Sequence, residues 1–260
     1  MYNLGIALSG GGARGFAHLG VLKALEEMGI QPDAVAGVSA GSIVGAMYAS
    51  GMDSAEMKEF VDSASFLRLF FPSVSFSGLI DLSYLKDHLA KYISTNLIEE
   101  LEKPLFLGLS NLSSGEVEFW TEGPLRECIA ASCAIPLVFQ PVEIHEQIYV
   151  DGGLLMNFPA PILRPICRKV IGVNLMPPLA LPAITFKKGL TATAIAIRCF
   201  YLAVISNSKP WLNHCDVLIQ APELYHYHMF QFRKREEIFE IGYRAAMEKR
   251  EELESLVLSF

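Results

Sequence analysis

The pentapeptide Gly37-Val38-Ser39-Ala40-Gly41 places the tightest constraint on what this chain can fold into. It reads Gly-x-Ser-x-Gly, between a short apolar run at residues 34–38 and a stretch of helical character from about 42 to 50 that Gly51 closes. A serine in that setting is expected on a nucleophile elbow, a sharp strand-to-helix turn that lifts the hydroxyl clear of the backbone. Small neighbours suit such a turn, because a Cβ on either side would crowd it and glycine tolerates the angles it imposes. The same order occurs just upstream. Residues 4–8 read as a buried strand, 10–15 as a glycine loop, and 16–28 as a helix with Val21, Leu22, Leu25 and Met28 on one face. Strand, helix, strand, helix in succession calls for parallel pairing and an α/β domain.

The rest of the chain continues that alternation. Asp81 is placed to cap a helix running to residue 93. Residues 105–112 and 117–120 read as strands, 125–133 as a helix stopped by Pro136, and 148–150 as a short strand ending at Asp151. Strands follow at 170–175 and 217–220, and 233–256 reads as one charged, amphipathic closing helix. With no repeat, low-complexity tract or clear linker, a single domain over residues 1–260 is the simplest account, and 52% hydrophobic residues promise it a sizeable core.

Charge and cysteines narrow the partners. A net charge of −7 argues against nucleic acid, because phosphate binding needs clustered cations. Five scattered cysteines show no metal-type spacing and suggest reduced thiols in a cytoplasmic protein. The first residues lack a basic segment and read as the fold's first strand, not as a signal peptide. Residues 190–205 are apolar but include Arg198 and are short for a membrane span, so a buried helix is expected there, with a lipid-facing or acyl-lining helix as the alternative. Phe66, Leu67, Leu69, Phe70 and Phe71 form a cluster suited to core burial, to a lid or to an interfacial patch in peripheral contact with a membrane.

The loop Gly10-Gly11-Gly12-Ala13-Arg14-Gly15 has two readings. It satisfies the dinucleotide fingerprint Gly-x-Gly-x-x-Gly. That fold needs an acid at the end of the second strand. The nearest, Asp33, precedes the second apolar run, and Ser39 stands at its end, so no nucleotide cofactor is expected. The other reading is an oxyanion hole. Consecutive glycines expose backbone N–H groups at a helix start, where Gly11, Gly12 and Ala13 would donate to developing negative charge.

A serine hydroxyl also needs a base. Of six histidines, at 18, 88, 145, 214, 226 and 228, none lies in an obvious triad context. His18 falls one turn into the first helix and suits packing, and His88 falls on the polar side of its predicted helix. Asp151-Gly152-Gly153 offers an alternative at the end of a strand, on the sheet edge expected for Ser39. An Asp-Gly pair serves equally as a plain hairpin turn.

Together these segments resemble the patatin-like phospholipase family. The resemblance rests on Gly10 to Gly15, Gly37 to Gly41 and Asp151 to Gly153. It extends to Ala130-Ala131-Ser132-Cys133-Ala134-Ile135-Pro136, Phe139-Gln140-Pro141 and Asn157-Phe158-Pro159. It runs from about residue 4 to 175, with a looser match through a variable apolar region at 176–210 and a closing strand and helix at 211–260. It implies a three-layer α/β/α fold with a mainly parallel sheet. It also implies a Ser39–Asp151 dyad without a histidine base, calcium or other cofactor, acting on lipid esters through an acyl-serine. Arg14 matches a basic position of the family's loop, where bracing the loop, meeting a lipid phosphate and forming an ion pair are all open. Ser42 reads as a helix start and Cys133 as a small packing residue. Leu154, Leu155 and Met156 suit an acyl pocket or the core. Acyl transfer to an alcohol, and a non-catalytic adaptor on the same fold, remain alternatives.

Overall fold

Runs of small and branched apolar residues build the centre of an eight-stranded sheet. The computed structural model describes residues 1–63, 80–176 and 191–258. The cluster at 66–71 and the start of the apolar run at 190 lie outside them. The strands are β1 (Tyr2–Leu8), β2 (Ala34–Val38), β3 (Leu105–Asn111), β4 (Val117–Trp120), β5 (Val142–Ile144), β6 (Gln147–Asp151), β7 (Cys167–Asn174) and β8 (Val217–Gln220). Their order is β5-β6-β3-β2-β1-β7-β8, with β4 also paired to β3. From β3 through β8 the pairing is parallel; β4, β5 and β6 are antiparallel to their neighbours.

Side chains that alternate along each strand feed the two faces of the sheet. Ile6, Leu8, Val35, Leu107, Ile171 and Val173 join the larger core. Ala7, Ala34, Ala36 and Val170 point to a smaller one. The larger core lies under α1 (Phe16–Glu27), α2 (Ala40–Ala49), α3 (Ser54–Asp62), α4 (Ser83–Tyr92) and α5 (Leu125–Ser132). The smaller core is closed by α6 (Ala160–Leu163) and by Trp211 and Leu212 from a 3-10 turn. This is the expected three-layer α/β/α arrangement. The chain then adds α7 (Ala192–Ser208), α8 (Arg235–Met247) and α9 (Arg250–Val257).

Several sequence expectations shift. The closing helix is broken: the Lys249 amide bonds three residues back to Ala246, and α9 restarts with Leu253 and Leu256 buried. Asp81 sits one residue before the cap position, and its carboxylate takes the Ser83 amide and hydroxyl. The apolar run at α7 buries only one side, Phe200, Tyr201, Val204 and Ile205, and leaves Ile195 and Leu202 exposed. Helix α3 starts at a capping box of Asp53 and Glu56, a spacing that identifies its start in the sequence. Among the described residues, no helix is long and apolar enough to cross a membrane.

Candidate active site

The register of β3 brings Ser39 and Asp151 together. Gly108 pairs with Val38 of β2 and Phe119 of β4, whereas Leu109 pairs with Asp151 of β6 and Glu118 of β4. A strand has only two edges, and β4 holds one of them at both positions. β2 and β6 therefore share the other edge and approach head-on, ending within one residue of each other. Asp151 thus arrives on an antiparallel strand, from the direction opposite to that expected. The Ser39 hydroxyl donates to Asp151 Oδ2 at 2.7 Å, across 112 residues of sequence.

The turn at Ser39 has the geometry of an elbow. Its backbone lies at φ 52° and ψ −123°, a left-handed conformation costly for a residue with a Cβ. The strain falls on the serine itself; Gly37 and Gly41 serve close approach. A Cβ on Gly37 would lie 2.4 Å from the Gly41 carbonyl oxygen, and one on Gly41 2.2 Å from that of Leu8. Helix α2 begins directly after Ser39, two residues earlier than expected, so its positive end faces the hydroxyl. Ser42 lies inside that helix, with its hydroxyl on the Ser39 carbonyl at 2.6 Å. Sequence reasoning gave Ser132 no role of its own. Its Oγ accepts the Ser39 N–H at 2.8 Å and donates to Gly108 O at 2.7 Å, pinning the turn to α5 and β3.

Asp151 is buried, 2% exposed, and accepts a second hydrogen bond from the Gly153 amide at 2.8 Å. Burial pushes its carboxyl up to about 7, against the pull of the bonds from Ser39 and Gly153. Gly152 packs against the sheet, where a Cβ would lie 2.1 Å from Gly108 O.

The glycine loop lies against the elbow. A Cβ on Gly10 would meet that of Ser39 at 3.0 Å, and one on Gly15 that of Ala40 at 2.7 Å. The Gly11 and Gly12 amides make no hydrogen bond to any described residue, and Gly12 lines the same cleft as Ser39. Ala13, expected as a third donor, already gives its N–H to Met229 O at 2.8 Å. Arg14 is buried and has no carboxylate partner among the described residues. Its guanidinium donates to Tyr227 O at 2.9 Å and to the Tyr201 hydroxyl at 2.7 Å, bracing the loop against α7 and the segment before α8.

Other candidates fall elsewhere. Asp33 lies just before β2, and its carboxylate accepts the Asn3 and Leu4 amides at 3.0 and 2.9 Å. His18 packs in the core with Nε2 donating to Ser9 O at 2.8 Å, and burial pushes its pKa down to about 4. His88 is buried, not on a polar face; its ring lies 4.4 Å from that of Phe60. The Cys133 thiol is buried and pushed far up by desolvation, which suits packing. Leu154, Leu155 and Met156 do not line the cleft: Leu154 packs on the core and Leu155 is exposed. The cleft is formed instead by α1, α2, Val61, α4, Ile135, Phe139 and the segment around Met229, Phe230 and Phe232. The sequence holds no local signal for that last contribution.

A family model described as patatin-like phospholipase matches residues 6–164. An uncharacterized NTE family protein of Mycobacterium tuberculosis is 35% identical over 190 residues, covering 72% of this chain and 53% of that protein. The chain thus spans about half the length of this curated relative. Lysophospholipase nte1 of Emericella nidulans is 26% identical over 282 residues, 97% of this chain and 18% of that protein. VipD from Legionella pneumophila shares the fold, with a TM-score of 0.64 at 15% identity over 96% of this chain and 67% of that one.

Proposed function

The chain belongs to the patatin-like phospholipase family, and on that premise we propose that it is a lipid hydrolase that cleaves carboxylic esters with Ser39 as nucleophile and Asp151 as base. The observation that carries the reading is the 2.7 Å hydrogen bond from the Ser39 hydroxyl to a buried carboxylate. An ordinary carboxylate is too weak a base for a hydroxyl. One pushed up to about 7 is ionised near neutral pH and binds a proton far more tightly.

Asp151 takes the proton as Ser39 Oγ attacks the ester carbonyl. The tetrahedral oxyanion is met by the Gly11 and Gly12 amides, each such donor lowering the barrier by roughly 3 kcal/mol. Asp151 then protonates the departing alcohol, leaving an acyl-serine. A water molecule gives its proton to Asp151 as it attacks the acyl carbonyl, and the fatty acid leaves as Ser39 recovers its hydrogen. The apolar cleft beside Ser39 supports a hydrocarbon acyl group. A fluorophosphonate probe tests the assignment. Wild type is expected to label on Ser39, and Ser39→Ala not at all. Asp151→Asn is expected to label at least a hundredfold more slowly. Equal labelling of wild type and Ser39→Ala would sink it.

A further inference from the structure

The cleft has a direction. Helices α1 and α2 both start at the glycine loop and the elbow, follow neighbouring parallel strands, and run away from Ser39 over the same core. Ala40, Ile43, Val44 and Met47 of α2 line the cleft at spacings of three, one and three, which is one face of a helix. Helix α1 contributes Phe16 and Leu19 to the lining. Among the described lining residues none is charged, and Ser39 brings the sole hydroxyl. Met47 is fully buried, 0% exposed. The next residue, Tyr48, lines a different cavity of about 320 Å³ with Leu22 and Met57.

We propose that Met47 is the far wall of an acyl slot and sets the length of acyl chain the site accepts. This rests on the hydrolase reading above. The stripe from Ser39 to Met47 spans about 12 Å at roughly 1.5 Å rise per residue. The Met47 side chain leans back toward the helix N-terminus, which leaves a usable depth of about 10 Å. An extended acyl chain advances about 1.3 Å per carbon, the axial projection of a carbon–carbon bond of about 1.5 Å. The slot therefore matches an acyl group of about eight carbons. Its free volume here is only about 60 Å³. A chain enters by displacing flexible side chains, and methionine, at both Met47 and Met229, adapts at low cost.

The test is kcat/KM for p-nitrophenyl esters from C2 to C16, below their aggregation limits, beside the rate at which alkyl fluorophosphonates of graded length acylate Ser39. In wild type, each methylene that finds the slot is expected to raise kcat/KM about fourfold, equivalent to about 0.8 kcal/mol. The rise should stop near C8 and give way to a fall of at least tenfold by C14. Met47→Ala removes Cγ, Sδ and Cε and should move the maximum out by about three carbons, toward the cavity beyond. If Met47→Ala melts too low to assay, Met47→Val leaves a smaller void and makes the same comparison. A wild-type profile that climbs steadily to C16, or a maximum unmoved in a folded, active Met47 variant, overturns the slot while leaving the Ser39 chemistry intact. Wild-type protein that neither turns over an ester nor labels on Ser39 overturns both.

Discussion

Two residues at the site are held in states that a relaxed chain would avoid. Ser39 sits at positive φ, a strain of order 1–3 kcal/mol. Asp151 is held where ionisation is disfavoured, and this has two pH consequences. In the proposed mechanism the ionised carboxylate is the base, so kcat/KM should climb with a limb near pH 7. A histidine base would give the same limb. Here it should survive replacement of each of the six histidines in turn, in every variant that melts as a folded protein. The stability effect has the opposite sign. Below about pH 4 the carboxyl is protonated whether the chain is folded or not. As pH rises toward 7 the unfolded chain releases its proton and the native protein does not, so stability falls. Above 7 the cost approaches about 4 kcal/mol, from a folded value of about 7 against an ordinary 3.8. Asp151→Asn should therefore be more stable than wild type at pH 8, and the advantage should shrink toward pH 4.5. Urea midpoints across that range check it, and a difference independent of pH would refute it. Ser39 and Asp151 were both legible as residues of interest. Their pairing came from family resemblance, because Asp-Gly-Gly is locally indistinguishable from a hairpin turn. Ser132 was opaque as a support because its bond to Ser39 spans 93 residues.

Among the elements, α1 and α8 cross with their backbones in close contact, and glycines permit it. A Cβ on Gly20 would lie 2.1 Å from Phe239 O, and one on Gly242 2.0 Å from Ala17 O. Backbone meets backbone there, so neither side can yield by turning a rotamer. Gly242→Ala is expected to destabilise by about 1–3 kcal/mol through overpacking. Thermal melting reads this, and an unchanged midpoint would remove the argument. The helix periodicity of α1 is plain in the sequence, since its apolar face repeats every three to four residues. The partner of its other face is not. The misreading of His88 has the same origin: α4 is wedged against α3, so the face that looks polar in isolation meets Phe60 and the Ser63 hydroxyl.

At the scale of the molecule, the family match ends at residue 164, but the fold does not. β7 pairs with β1 along most of its length, β8 extends the sheet, and Ile238, Ile241 and Ala246 of α8 enter the main core. Met229 and Tyr227, just before α8, hold the glycine loop through Ala13 and Arg14. A chain cut after Met176 should fail to give a cooperative melt, whereas the full chain should unfold in one transition followed alike by tryptophan fluorescence and circular dichroism. A stable, cooperatively folded fragment would contradict this. The α/β class, the elbow, the glycine loop and the short strands that carry them are legible in the residues alone, because each depends on residues within a turn or two of one another. That β2 and β6 meet end to end on one edge of β3 is settled by the packing of distant segments. That packing alone committed the Ala13 amide to Met229, aimed Arg14 at Tyr227 and Tyr201 with no carboxylate among the described residues, and drew the cleft from α1 and α2 instead of from Leu154 to Met156. Those outcomes depend on which distant segments share an edge or a face, and no local pattern of residue types records that.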